Sequence, residues 1–490
     1  MSPDIAIGLV MLIVMIGAIF IGVPISFTLL FLALTFGYLS LGNVVFSLAY
    51  FQTIGMMKEE LLAAVPLFIF MGFITEQAGL MERLFSAFRM VLAPIRGSLY
   101  IVVILTSTVF AMATGIVGAA VTVLGIMAGP IMIKTGYDAK LSAGAITAGG
   151  TLGILIPPSV MLIVMGPVLG VSVADLYAAA FGPGFLLAGI YLIYLIVRST
   201  LNPKLGPPVP KEERVTDPVL ILKEVAVGVL PLALLIAATL GSILAGLATP
   251  TEASGVGALG ALILAVCYRR LTFAGLKQAV ISATLTSSMV LLLAVTSNIF
   301  GAVFARMGTA DWVTSSLTSL PVPPIVMLAL VVVLLFLLGW PFEWPAIILV
   351  FLPIFYPVVD ALKPALSQSF GIPPDLFMVW FGALVAVTMQ TAYLSPPVAM
   401  SAYYLKQVVK EWSLGTIYKG MFEFMVLQCI AIAAVMFVPQ IATYLPHQLQ
   451  IEARATTTEE VDDSMNKLED DPYNDPNSLE KDELSTPPQK

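Results

Sequence analysis

Charge is what this sequence has least of. Asp, Glu, Lys and Arg make up 11% of its 490 residues, against about 25% in a soluble globular domain. Histidine occurs once, as His447. A single histidine excludes an HExxH zinc centre, and its place at the edge of the C-terminal tail argues against a His-based triad. The two cysteines, Cys267 and Cys429, lie in apolar runs and are expected as free buried thiols rather than a disulfide. No GxxxxGK[ST] sequence is present, which disfavours ATP drive within the chain. The start, Met1-Ser2-Pro3-Asp4, lacks the positive region of a cleavable signal, so the first apolar stretch is expected to stay in the membrane. No pairing of a nucleophile with a base stands out, so an enzyme is not expected.

What the sequence has instead is apolar length. Hydrophobic residues reach 59% and the mean hydropathy is +0.98. A chain of this kind uses lipid as solvent. Segments that cross lipid must satisfy their own backbone hydrogen bonds, so the runs predict an all-α integral membrane protein. The net charge of −7 is local. Residues 447–490 carry 12 acidic and 4 basic side chains, a net of −8, which leaves about +1 for the rest. That tail is expected to be disordered.

About ten spans are expected, at 5–23, 25–42, 61–80, 141–166, 172–197, 224–241, 243–267, 276–300, 376–405 and 420–445. Stretches 98–133 and 325–360 are long but broken near their middles. Lys and Arg mark cytoplasmic loops. They cluster at Arg83 to Arg96, Lys134 to Lys140, Arg198 to Lys223, Arg269 to Lys277 and Lys406 to Lys419. Counting crossings between the clusters puts the N-terminus and the acidic tail outside. Lys58, Arg306 and Lys363 run against the bias.

The two halves echo each other. Gly150-Thr151-Leu152-Gly153-Ile154-Leu155-Ile156-Pro157-Pro158-Ser159 matches Met389-Gln390-Thr391-Ala392-Tyr393-Leu394-Ser395-Pro396-Pro397-Val398, with Pro-Pro inside an apolar run each time. Gly115 to Pro130 resembles Gly339 to Pro353. By the charge count the first broken stretch opens inward and its counterpart outward, the plan of an inverted-topology repeat. The expected division is scaffold helices over 1–60, a first repeat over 61–197, a cytoplasmic loop over 198–223, scaffold over 224–275, a second repeat over 276–446, and the tail.

Pro-Pro removes helix hydrogen bonds and clashes with the turn before it. In a membrane such backbone must be buried in protein or line a watery cavity. Both Pro-Pro pairs therefore predict discontinuous helices whose carbonyls can hold Na⁺, beside the hydroxyls of Thr151, Ser159, Thr388, Thr391 and Ser395. Two hairpin tips, Ala113 to Gly118 and Gly339 to Pro345, are expected to re-enter and meet near the midplane. Their arms are expected to be about a dozen residues or more, roughly 20 Å of helix and too short to span comfortably. Glu343 is a carboxylate at membrane depth, which costs about 2.5–3.5 kcal/mol on insertion scales. It could hold a cation, take up a proton, bind the solute, or simply cap a helix. Glu252, in Thr249-Pro250-Thr251-Glu252, is expected to cap a helix start. Trp340 and Trp344 could line a solute path or anchor at the interface.

These residues resemble the large membrane subunit of tripartite ATP-independent periplasmic (TRAP) transporters, the DctM-like proteins. The resemblance covers about residues 5–445 and rests on Gly-Thr-Leu-Gly-Ile-Leu-Ile-Pro-Pro-Ser at 150–159, Gly136-Tyr137-Asp138 and Thr249-Pro250-Thr251-Glu252-Ala253. The Gly339 to Pro345 tip is similar to the branch labelled for mannitol or chloroaromatic compounds. The resemblance implies an elevator of the ion transporter superfamily type in the bacterial inner membrane, coupled to Na⁺ and moving organic acids. It implies two partners, a small four-helix membrane subunit and a periplasmic solute-binding protein, and no nucleic acid. The Na⁺ positions it implies are Thr114, Gly115, Gly118, Gly150 and Thr151 in one half, and Gly339, Trp340, Thr388, Thr391 and Ser395 in the other. The solute is expected at Thr114, Gly115, Pro158, Trp340, Glu343 and Pro397. Many relatives have a Ser-Gly-Ser-like first tip; here Ala-Thr-Gly-Ile-Val-Gly offers fewer side-chain oxygens. The rival reading is a stand-alone Na⁺- or H⁺-coupled carboxylate carrier without a binding protein.

Overall fold

Uncharged runs in lipid close their hydrogen bonds on themselves as helices. The computed structural model describes residues 2–208, 214, 217–396, 399–452 and 454. Among these there are helices and no strand, and ten helical stretches are long and apolar enough to cross a membrane.

The chain opens with α1 (Pro3–Phe20), α2 (Ile25–Leu41), α3 (Val44–Met57), a short turn (Glu60–Ala63), α4 (Ala64–Gln77) and α5 (Leu80–Leu92). A hairpin follows, α6 (Ser98–Thr114) against α7 (Val117–Lys134). Next comes a broken helix, α8 (Ala139–Thr151) and α9 (Val160–Leu169), then α10 (Val173–Leu201). The middle holds α11 (Pro218–Ile236), which runs through a π turn (Ala237–Gly241) into α12 (Ser242–Leu244). It continues with α13 (Pro250–Cys267), α14 (Phe273–Arg306) and α15 (Thr309–Thr318). The second hairpin sets α16 (Pro324–Leu338) against α17 (Trp344–Ala346), a π turn (Ile347–Phe351) and α18 (Leu352–Phe370). A second broken helix, α19 (Phe377–Leu394) and α20 (Met400–Val408), leads to α21 (Leu414–Phe437). Residues 440–452 are also helical.

Local chemistry sets many of these boundaries. Asp138 caps α8, its carboxylate accepting from the Leu141 N–H at 2.8 Å. Thr249 and Glu252 form a reciprocal capping box at α13. The two breaks fall at the two double prolines.

Several expectations need correction. The hairpin arms α6, α7 and α16 have 17, 18 and 15 residues, and the fourth arm runs 27 residues over Trp344–Phe370. Arms α7 and Trp344–Phe370 are long enough to cross a membrane, whereas α6 and α16 are the shorter kind the sequence predicts. Helices α3, α5 and α15 were not expected as separate elements. Polar residues lower the hydropathy of α5, and α3 has 14 residues. Helix α13 starts at Pro250 rather than 243, because Gly246 adopts a left-handed φ of +69° and ends the preceding helix. Helix α4 packs on α13 and α14, and α5 on α11, so residues 61–92 lie against α11 and α13 of the expected scaffold and against α14, expected in the second repeat. Cys267 and Cys429 are exposed on the protein surface instead of buried. The tail expected from 447 begins later, since 447–452 continue a helix; the tail beyond lies outside the described residues, apart from Arg454.

The two repeats exchange elements. Helix α10, closing the first, packs on α19 of the second, and α21 packs on α8 of the first. Likewise α20 lies on α7, and α9 lies on the π turn at Ile347–Phe351. Glycines permit the closest crossings. A Cβ at Gly420 would stand 2.0 Å from the Lys140 carbonyl oxygen, and one at Gly144 would stand 2.6 Å from the Phe424 ring. Gly420→Ala should therefore lower stability by about 3 kcal/mol, since the clash is with backbone. Gly189→Ala meets no atom within 4 Å and should gain up to about 1 kcal/mol from helix propensity. Thermal unfolding of both variants in detergent checks this. Equal melting temperatures for the two would contradict the packing described.

Candidate functional site

The first half of the site forms where a tip meets a break. Helix α6 ends in Gly115, whose φ of +61° is left-handed and suits glycine. A Cβ there would lie 3.6 Å from the Pro158 carbonyl oxygen and 3.7 Å from that of Gly153. The tip thus rests on the carbonyls that the α8–α9 break sets free. Thr114, Thr151 and Ser159 are all buried. Each hydroxyl donates to a carbonyl of its own chain segment: Thr114 to Phe110 at 3.2 Å, Thr151 to Ala148 at 2.8 Å, and Ser159 to Ile154. Their oxygens keep lone pairs for a ligand. Gly150 serves close packing, since a Cβ there would stand 2.3 Å from Val121 Cγ2. On the scaffold side, a Cβ at Gly72 of α4 would lie 2.6 Å from the Thr114 carbonyl oxygen.

The second half repeats the arrangement in part. At Gly339 a Cβ would stand 3.2 Å from the Ala392 side chain, so this tip also sits against the helix that breaks. Thr388, Thr391 and Ser395 are buried and donate to Leu384, Thr388 and Thr391 at 2.8, 2.7 and 2.7 Å. Pro397 lies outside the described residues. Trp340 is not brought into the site: its side chain is 41% exposed and sits edge-on to Phe336 at 6.2 Å. Trp344 is the buried tryptophan of this tip. Glu343 precedes α17 in extended conformation and is half-buried.

Three residues of the site escaped the sequence reading. Gln390 is fully buried, and neither amide atom has a hydrogen-bond partner among the described residues. Its offset from Thr151 is 390 − 151 = 239, the same as 396 − 157 for the double prolines. The repeat register could therefore have singled it out. Tyr393 and Tyr404 gave no such signal. Tyr404, on α20, lies over the other tip, its ring 3.0 Å from a Cβ placed at Gly118. Tyr393 lies three residues beyond Gln390 on α19, and its carbonyl accepts from the Ser401 hydroxyl across the break. The two tips and the two breaks thus converge.

What gathers here is carbonyl and hydroxyl oxygen. No group of three or more His, Cys, Asp or Glu able to hold a metal occurs among the described residues. Such a donor set suits a hard cation and not a transition metal. Elsewhere, a cavity of about 500 Å³ runs between α3, α9, α14 and the π turn of the second hairpin, with Gln52, Glu59, Ser297 and Asn298 among its lining and none of the residues named above.

Comparison with known proteins agrees with this architecture. The family model "Tripartite ATP-independent periplasmic transporter, DctM component" matches residues 10–441. The sialic acid TRAP transporter large permease protein SiaM of Vibrio cholerae is 31% identical over 437 residues, covering 88% of this chain and 96% of that protein. The C4-dicarboxylate large permease DctM of Pseudomonas aeruginosa is 27% identical, covering 79% and 86%. Among solved structures, the YdaH transporter of Alcanivorax borkumensis shares the fold, with a TM-score of 0.57 at 16% identity over 83% of this chain and 90% of that one. The chain belongs to the DctM component family of tripartite ATP-independent periplasmic transporters: it is a large permease subunit, a transporter component and not an enzyme.

Proposed function

We propose that this subunit couples solute uptake to Na⁺, which binds where each hairpin tip meets its broken helix. The observation that carries the reading is the seat of Gly115 on the carbonyls of Gly153 and Pro158, with Thr114 and Thr151 beside it. Oxygen ligands from freed backbone suit Na⁺. The second ion would use the Gly339 tip with Thr388, Thr391, Ser395 and Gln390, whose buried amide oxygen lacks a partner among the described residues. Gly118, Gly150 and Trp340 act differently in this reading. The two glycines let helices approach, and Trp340 faces outward.

The packing supports an elevator. Helices α4, α13 and α14 form one close-packed group with α2 and α3, and hairpins and broken helices form another. Between them, Ser297 of α14 donates to the Leu349 carbonyl at 2.8 Å, a side-chain bond that a sliding motion could break. The relatives named for sialic acid and C4-dicarboxylates support an organic acid as solute. Family membership supports a small membrane subunit and a periplasmic binding protein as partners, and the bacterial inner membrane as location. The N-terminus and acidic tail are placed outside. In support, Gln450 donates to Asp175 at 3.3 Å and Arg454 pairs with Asp375 at 3.5 Å, which ties the C-terminal segment to loops on the side without the basic clusters.

Reconstitution tests the reading. With its small subunit and binding protein in proteoliposomes, the wild type should take up solute only along an inward Na⁺ gradient. Thr151→Val removes one oxygen and should raise the half-saturating Na⁺ concentration by about tenfold, the equivalent of one modest ligand. Na⁺ dependence unchanged in that variant would remove the first site. Pro157→Ala with Pro158→Ala should let helix continue through the break and cut Na⁺-coupled uptake at least about tenfold, with the protein still in the membrane. Full uptake by the large subunit alone, with no partner, would favour the stand-alone carrier.

A further inference from the structure

The cavity of about 500 Å³ lies between the two packed groups of helices. Its walls are α3 and α14 on one side, and α9 and the π turn Ile347–Phe351 on the other. Two glycines in the lining report the open space independently. A Cβ added at Gly55 of α3 or at Gly301 of α14 would meet no atom within 4 Å. Along α14 the lining runs from Ala302 to Ala294, which is 302 − 294 = 8 residues, or about 12 Å of helix. Ala302 lies towards the end of α14 away from the basic cluster Arg269 to Lys277. In the inner half of that run Ser297 donates to the Leu349 carbonyl at 2.8 Å. Leu349, also in the lining, stands 349 − 343 = 6 residues past Glu343 of the second tip. The cavity thus leads from one end of α14 towards the hairpin that carries the Gly339 to Pro345 tip.

Its chemistry is that of a cation path. Glu59 is the one charged side chain among the described residues that line it. It is half-buried, and its carboxylate has no ion-pair or hydrogen-bond partner among the described residues. The Asn298 amide donates to the Met56 sulfur at 3.7 Å, a weak acceptor, and keeps its oxygen free. Gln52 adds a second amide to the lining. Carboxylate and amide oxygens are hard donors that suit a cation such as Na⁺. The volume leaves room for the ion's water shell, at about 30 Å³ per water. A carboxylate in a cleft with low-dielectric walls focuses its field, drawing cations in and turning anions away. Lys58 and Arg306 are near the cavity in sequence, but both are exposed, outside the lining and screened by water and salt.

We infer that this cavity is an entry passage for the coupling cation, with Glu59 attracting Na⁺ and the amides of Gln52 and Asn298 sharing its passage towards the second tip. This rests on the reading of Na⁺ coupling and adds the route. Glu59 acts on arrival: it is not among the residues of either tip or break, so its loss slows loading and removes no ligand of the final sites. An organic anion is repelled from the same cavity, which separates the cation's route from the cargo's.

The test labels the cavity with charged probes. The full chain carrying Cys267→Ser, Cys429→Ser and Gly301→Cys is purified in detergent. Its single thiol reacts with two methanethiosulfonates, one bearing a trimethylammonium and one a sulfonate, each rate being divided by that for a small free thiol. At low ionic strength the cationic reagent should be favoured about tenfold or more. Added salt should weaken the preference, and Glu59→Gln should bring the two rates close to equal, whereas Glu59→Asp should keep the preference. Equal rates without Glu59→Gln, or a preference that Glu59→Gln leaves intact, would overturn the inference. In proteoliposomes with both partners, Glu59→Gln should slow uptake about threefold or more at subsaturating Na⁺ and low ionic strength, with the deficit shrinking as Na⁺ rises. Gly301→Leu, which fills the cavity from an open position, should keep the melting temperature and slow uptake under the same conditions. Wild-type rates in both variants would also overturn the inference. Loss of the charge preference with Na⁺-dependent uptake intact sinks this inference alone; wild-type uptake that ignores Na⁺ sinks the coupling reading, and the passage with it.

Discussion

The structure depends on one constraint: backbone freed inside a membrane must find partners there. Two double prolines end helices within the apolar interior, and each ending releases carbonyls that water cannot reach. The fold answers with side chains and with a second piece of chain. Ser159 donates to the Ile154 carbonyl, Tyr177 to that of Ser159 at 3.4 Å, and Ser401 to that of Tyr393. The tip at Gly115 then closes over Gly153 and Pro158. A hairpin that must cover a break has its position fixed by that task. The same contact leaves oxygens converging at one place, which is the physical basis for an ion site.

The exchange between repeats interlocks this arrangement. Each repeat lends its last helix to the other, and each half-helix after a break lies on the opposite hairpin. Small residues set the distance. On α7, Gly118, Gly125 and Gly129 meet Tyr404, Leu405 with Val408, and Val409 of the partner helix. In a bilayer, where apolar burial drives helices together weakly, such close packing is the main source of association. The outer helices hold this core at several places, with α4 and α5 on α6, α15 on α18 and α14 on the π turn. Gly72 against the Thr114 carbonyl and Ser297 against the Leu349 carbonyl are among these contacts.

Much of this was legible in the sequence, because the constraint leaves marks in composition. Pro157-Pro158 and Pro396-Pro397 gave the breaks, and the Gly-containing interruptions at 113–118 and 339–345 gave the tips. Glu252 gave a helix start that the structure reproduces. What could not be read depends on which way a side chain points. Trp340 and Trp344 are equivalent in sequence, yet one faces outward and the other is buried. At Gly118 and Gly150 an added Cβ would crowd Tyr404 and Val121, and what sits opposite a glycine is set by a distant helix. Tyr404 reaches the site only because α20 lies across α7. Helix α5 was missed because its polar face hides it from a search for apolar runs.

Direct binding of radioactive sodium to the purified large subunit tests the central claim, that tips seated on broken helices hold Na⁺, without needing to know the solute. The account predicts saturable binding that K⁺ does not displace and that Gly115→Val abolishes at the first site, because a branched side chain at a left-handed φ of +61° would lift the tip from the Gly153 and Pro158 carbonyls. Absence of saturable binding, or full binding in Gly115→Val, would contradict it.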